Sequence, residues 1–164
     1  MEKNSVRENC LYFVKNDFFD LVDDDYLMRN KDTTSRPHYF PLVDNKTGLL
    51  WLIPCSSRIE KYEALIEKKK RENKRHNHIQ IVTISGKKQV LLYQDMFPIL
   101  PEYIDKPYVS KNGPYELKDV KKIEEINKNA KKIIKLLRLG IRFASTQPNV
   151  AQIERIMLDE MNKK

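Results

Sequence analysis

The stretch HYFPLVDNKTGLLWLIP, residues 38–54, constrains the fold more than any other part of this chain. His38 to Val43 is a run of strand-forming residues broken by one proline, so it belongs at a sheet edge or a bulge. Asp44-Asn45-Lys46-Thr47-Gly48 is turn chemistry. Leu49 to Ile53 is a second apolar run. Together they predict a β-hairpin. A second hairpin follows, with HIQIVTI alternating apolar and polar residues, SGKK as the turn and QVLLYQDMF as the returning strand. Strands that arrive as tight pairs make an antiparallel sheet, which disfavours a parallel α/β fold.

The remaining elements wrap this sheet. Leu11 to Val14 predicts a first strand, and Asp17 opens a short helix carrying Phe18, Phe19, Leu21 and Val22. Asp23, Asp24 and Asp25 then read as a solvated loop rather than a metal site, because consecutive loop residues point in different directions. RNKDTTSRP is a polar loop. A helix is expected from about Ile59 to Glu72, with Ser57 and Glu60 at the spacing of a capping box. PILPEYIDKPYVSKNGPYEL reads as a long surface crossing. Lys118 to Leu139 repeats Ile, Val, Ala and Leu at helical spacing over a lysine-rich face, Gly140 stops it, and a last helix spans about Val150 to Met161. The expectation is one α+β domain over 1–164, a strongly bent antiparallel sheet or small barrel with helices inserted and appended.

The formal net charge is +8, which favours a polyanionic partner such as nucleic acid or an acidic membrane surface. Aromatic residues are frequent enough to argue against a disordered basic tail. The two cysteines, Cys10 and Cys55, have no metal-ligand spacing and suit a reducing, cytosolic home. The N-terminus is too polar for a signal peptide, and no apolar run reaches membrane-spanning length. His76 and His78 alternate at a strand entry but lack a third ligand, so neither metal nor cofactor is expected.

The hairpin also makes a spatial prediction. The start of one antiparallel strand lies beside the end of the next, so Arg36, His38, Ser56 and Arg58 should share one end of the sheet. Lys61, three residues after Arg58, lies on the same helix face. A helix N-terminus adds free N–H groups and favours bound phosphate. Such a site suits RNA cleavage in which the ribose 2′-hydroxyl attacks its own phosphate. The protein then supplies a proton acceptor, a proton donor and cations for the developing charge. Helix capping accounts for the serines equally well, and a structural strand residue accounts for His38.

Between Arg58 and Lys88 ten lysines and arginines face four glutamates, an imbalance that fits either a solvated loop or an RNA backbone track. Its members are Lys68, Lys69, Lys70, Arg71, Lys74, Arg75, Lys87 and Lys88, with Ser57 beside them. Lys121, Lys128 and Lys132 of the long helix extend it. Of the tyrosines, Tyr108 and Tyr115 are the expected exposed stacking platforms, while Tyr39, Tyr93 and Tyr103 are assigned to the interior.

RPHYFPLVDNKTGLLWLIPCSSRIEKYEALIEKK followed by VLLYQDMFPILPEYI resembles the endoribonuclease toxins of bacterial type III toxin–antitoxin systems, the ToxN/AbiQ/CptN/TenpN group, and within it the CptN-like branch. The resemblance implies a compact, highly curved antiparallel sheet akin to the MazF/Kid toxins. It implies metal-independent RNA cleavage leaving a 2′,3′-cyclic phosphate. It also implies inhibition by a small repeated pseudoknot RNA, which the toxin cuts from its precursor and with which it assembles, in phage defence or plasmid maintenance. Ser56 matches the family's serine after the strand, Arg58 stands where many members have lysine, and Lys61 matches the lysine of the KY pair. Cys55 replaces a threonine, leaving Ser57 as the second hydroxyl. Arg36 and His38 flank the position of a basic residue on the preceding strand. Two further readings remain: a basic RNA-binding module without catalysis, and a MazF-like nuclease held by a protein antitoxin.

Overall fold

A computed structural model describes residues 6–27 and 35–163. The N-terminal five residues and most of the polar loop expected before Arg36 lie outside them. The sheet is built from β1 (Leu11–Val14), β2 (His38–Val43), β3 (Leu50–Ser56), β4 (Ile79–Ile84), β5 (Lys87–Leu92), β6 (Phe97–Ile99) and β7 (Ile104–Pro107). The strand order is β4-β5-β3-β2-β1-β7, and β6 also pairs with β3. Every pairing is antiparallel. A separate two-stranded ribbon joins β8 (Val109–Ser110) to β9 (Gly113–Pro114). Four helices complete the described residues: α1 (Asn16–Val22), α2 (Ile59–Arg71), α3 (Val120–Arg138) and α4 (Val150–Asn162). This is the expected α+β class, with an open sheet in place of a closed barrel.

β3 changes partner along one of its edges. On one side β3 pairs with β2 along its length. On the other it pairs with β6 through Leu50–Leu52 and with β5 through Cys55–Ser56. Pro54 sits where the partner changes. Cys55 N–H donates to the Pro37 carbonyl on the β2 side, so by alternation the Pro54 nitrogen faces the other side, at the gap. A missing donor there costs no ladder bond. Pro41 uses the second proline-tolerant position, the register shift between Tyr39 and Leu42.

All seven residues of β3 are buried. Trp51, Ile53 and Cys55 face one core with Ile126, Ala130, Ile133 and Leu137 of α3. Leu50 and Leu52 face another with Phe18, Phe97, Ile153 and Met157. A strand covered on both faces reads as a continuous apolar run, which is why LLWLI stood out. α3 ends at Gly140, φ +83°, where Gly140 N–H bonds to Leu137 and Ile141 N–H to Leu136, the paired pattern of a left-handed helix terminus.

Two expectations need correction. QVLLYQDMF is not one strand: β5 runs out where β4 begins (Ile79 opposite Leu92), a 3-10 turn covers Tyr93–Asp95, and the chain returns as β6 to the other half of β3. The crossing at 98–117 is not irregular either, since it holds the end of β6, all of β7 and the β8–β9 ribbon. No helix among the described residues is long and apolar enough to cross a membrane.

Candidate active site

β2 begins at His38, opposite Pro54 near the end of β3. Arg36 therefore lies beside the last residues of β3, and its Nη1 donates to the Cys55 carbonyl at 2.8 Å. A cleft of about 390 Å³ opens at this end of the sheet, lined by Arg36, Ser56, Ser57 and Arg58 together with Lys87, Gln89, Tyr108 and Phe13. Of the four residues that the hairpin prediction gathers, Arg36, Ser56 and Arg58 line the cleft and His38 does not. The serines do not form the expected capping box. α2 has Arg58 at its cap with no side-chain cap bond. Ser56 instead lies within β3, only 7% exposed, and its Oγ accepts from the Arg58 N–H at 3.2 Å. Accepting that bond leaves the Ser56 O–H free to donate.

The far wall of the cleft is cationic and aromatic. Lys87 Nζ donates to Tyr108 Oη at 2.9 Å. It also lies 5.3 Å from the centroid of the Tyr108 ring and 5.9 Å from that of Tyr115. The hydrogen bond to Tyr108 raises the lysine's pKa against the opposing effect of burial, so Lys87 stays charged. Tyr108 and Tyr115 stack at 4.4 Å because the β8–β9 ribbon places them opposite one another, with Tyr115 N–H bonded to the Tyr108 carbonyl. Phe13 meets Tyr108 edge-on at 5.2 Å. The ribbon hangs on β1 through Tyr108 N–H to Leu11 and Leu11 N–H to Tyr115.

His38 does not fit the proton-shuttle expectation. It is fully buried, edge-on to Phe97 at 5.5 Å, and neither ring nitrogen makes a well-formed hydrogen bond. Burial, then the Arg36 charge, pushes its pKa down to about 3, offset in part by the backbone of Tyr12 and Arg36. Its imidazole is neutral at working pH and sealed from the cleft, because β2 is covered on both faces. Lys61 is exposed on α2 and is not among the cleft-lining residues, its Nζ lying 5.2 Å from the centroid of the Tyr62 ring.

Other groups at this end carry weaker sequence signals. Asp95, in the 3-10 turn, is buried, and burial pushes its carboxyl up to about 7 against the lowering effect of Arg36. An acid inside an apolar run was its signal. Gln89 and Phe13 looked like ordinary strand residues. The pairing of Tyr108 with Tyr115 went unread, because the ribbon that makes it turns at Lys111–Asn112 within what looked like a surface crossing.

The remaining basic residues lie on α2, on α3, in the loop after α2 and, for Lys88, on β5. Lys68, Lys69, Lys70 and Arg71 end α2, Lys74 pairs with Glu72 at 3.2 Å, and Arg75 and Lys88 are exposed. Asn129 Nδ2 donates to the Asn77 carbonyl at 2.7 Å, tying the loop after α2 to α3. His76, Lys128 and Lys132 consequently line one groove, and Lys121 stands exposed on the same helix.

No family model and no curated protein matches the chain. Two solved structures share its fold. One is of a bacterial type III toxin–antitoxin system whose toxin is selectively inhibited by a non-coding RNA pseudoknot (TM-score 0.66, 14% identity, 96% of this chain and 100% of that one). The other is AbiQ, a lactococcal anti-phage endoribonuclease of the type III toxin–antitoxin class (TM-score 0.62, 11% identity, 94% and 98%).

Proposed function

We propose that this protein is the toxin of a type III toxin–antitoxin system, a metal-independent endoribonuclease acting in the cytoplasm. The observation that carries the reading is the cleft itself. Arg36, Arg58 and Lys87 line one cleft with Ser56, and none of the three has a carboxylate within ion-pair distance among the described residues. Cations gathered with no carboxylate in ion-pair reach suit an anionic ligand, and the fold supports RNA as that ligand.

The reaction is a transesterification within one strand. The 2′-hydroxyl gives up its proton to solvent water as its oxygen forms a bond to the adjacent phosphorus, and the bond to the 5′-oxygen of the next nucleotide breaks. The products are a 2′,3′-cyclic phosphate and a 5′-hydroxyl. Arg36, Arg58 and Lys87 neutralise the charge that builds on the non-bridging oxygens. Ser56 donates a hydrogen bond to one of them. Tyr108, whose oxygen accepts from Lys87, keeps its own proton for the departing 5′-oxygen. His38 takes no part. The basic residues of α2 and α3 hold the backbone of a structured, pseudoknotted antitoxin RNA, and single-stranded RNA enters the cleft.

The test is incubation with a mixed single-stranded RNA pool in EDTA, with the cut ends mapped. Cyclic-phosphate ends, reduced at least about a hundredfold by Ser56→Ala, are expected. An RNA pool left intact by protein freed of co-purified RNA rejects the nuclease.

A further inference from the structure

Gln89 is 2% exposed and lines the cleft. On β5 it sits two residues from Lys87, so both side chains leave the same face of the strand. Among the described residues its amide meets no hydrogen-bond partner, yet neither amide atom is sealed from solvent. The little surface it keeps includes both amide atoms, at a residue that lines the cleft.

The other buried glutamine shows how unusual this is. Gln147 Oε1 accepts from Phe143 N–H at 2.6 Å and Ala144 N–H at 3.2 Å, and its Nε2 donates to the Ile141 carbonyl at 2.9 Å. Half-buried Gln80 is also engaged, accepting from Tyr93 Oη at 2.6 Å and donating to Glu125 at 3.1 Å. A buried amide without partners is costly to the folded state. At Gln89 that cost is met when a ligand fills the cleft.

We propose that Gln89 is a specificity-determining residue, its amide pairing with the edge of one nucleobase held beside the scissile phosphate. This rests on the reading of the cleft as an RNA site. Phosphate oxygens only accept hydrogen bonds and already have Arg36, Arg58 and Lys87. A primary amide offers a donor and an acceptor side by side, which is the pattern of a base edge. Burial holds the amide in place, so the geometry of the cleft decides which base edge can meet both of its atoms. The Tyr108–Tyr115 stack supplies a ring platform on the same wall.

The experiment uses a randomised single-stranded RNA carrying 2′-fluoro in place of every 2′-hydroxyl, so that it binds without being cut. The bound fraction is sequenced for the wild type, Gln89→Met and Gln89→Glu, each checked for folding by its melting curve. The wild type is expected to enrich one base at one position by about five- to a hundredfold. Gln89→Met, similar in volume but without the amide, is expected to flatten that preference to about twofold or less. Gln89→Glu, an acceptor without a donor, is expected to shift it to another base. If Gln89→Met does not fold, Gln89→Glu decides alone. A wild type with no base preference, or variants that keep the wild-type preference, overturn the proposal. Cleavage of ordinary RNA is scored separately: selection without cleavage retains Gln89 and rejects the nuclease, while cleavage with a preference indifferent to Gln89 does the reverse.

Discussion

The two ends of the β2–β3 hairpin treat their cations in opposite ways. At the turn end, Arg138 of α3 is clamped by Asp44 and Glu154 and lies over the Trp51 ring, 5.5 Å from its centroid. At the open end, Arg36 and Arg58 form no ion pair among the described residues, and Lys87 rests on a tyrosine hydroxyl. The first cation ties α3 and α4 to the hairpin. The others are held in place by neutral oxygens or left exposed, with their charge unspent. A paired cation is structure, and an unpaired, converging set is a site for an anion.

The largest effect that sharpens this contrast is expected from Arg36→Ala and Arg58→Ala. Each should lower single-turnover cleavage about a hundred- to a thousandfold with little change in melting temperature. A loss of stability without loss of cleavage would put these arginines in the same class as Arg138. The converse variant is Arg138→Ala, which leaves Asp44 and Glu154 partly buried and unpaired. It is expected to cost about 2–3 kcal/mol in urea unfolding, less than a fully buried pair because all three groups keep some solvent contact. Cleavage per folded molecule should persist well below its melting point.

Two aspartates extend the comparison to pH. Burial raises the Asp44 carboxyl, but hydrogen bonds from Arg138, Thr47 and Lys46 outweigh it and hold it low. Asp95 at the open end is raised to about 7. An acid whose pKa is raised on folding takes stability away as pH climbs from its unfolded value, about 3.9, to its folded one, and the loss is complete above that. Asp95→Asn is therefore expected to raise the melting temperature at pH 8, with the gain fading between pH 7 and about 4. A gain that is the same at pH 4 and pH 8 would contradict the buried, uncompensated carboxyl.

The smallest effect is expected from the basic residues of α3. Lys128→Ala with Lys132→Ala should weaken binding of a structured RNA. It should also reduce the slope of log affinity against log salt by about 0.7 for each phosphate that the protein no longer neutralises on a single-stranded segment. An unchanged slope removes these lysines from the RNA interface.

The sequence carried the hairpins, the long amphipathic α3 and the meeting of Arg36 with Ser56 and Arg58, because all three follow from local periodicity and antiparallel geometry. It misplaced His38. Alternation puts His38 and Tyr39 on opposite faces of β2, and the apolar run that follows His38 signals cover on both faces but does not say that the cover reaches the polar residue at its start. It also read Ser57 and Glu60 as a capping box, whereas β3 runs on to Ser56 and the helix starts from Arg58 without a side-chain cap.

What the amino-acid sequence determined by itself is the set of strands and helices, the charge that calls for a polyanion, and one end of a hairpin rich in cations and hydroxyls. Only the tertiary structure decided which of those groups face an open cleft. Lys87, Gln89, Phe13 and Tyr108 reach it from separate strands and a ribbon, brought together when β3 changes partners and β1 carries the tyrosine pair. Proximity of that range depends on how both faces of the sheet are buried, and burial is a property of the whole packed chain rather than of any window along it.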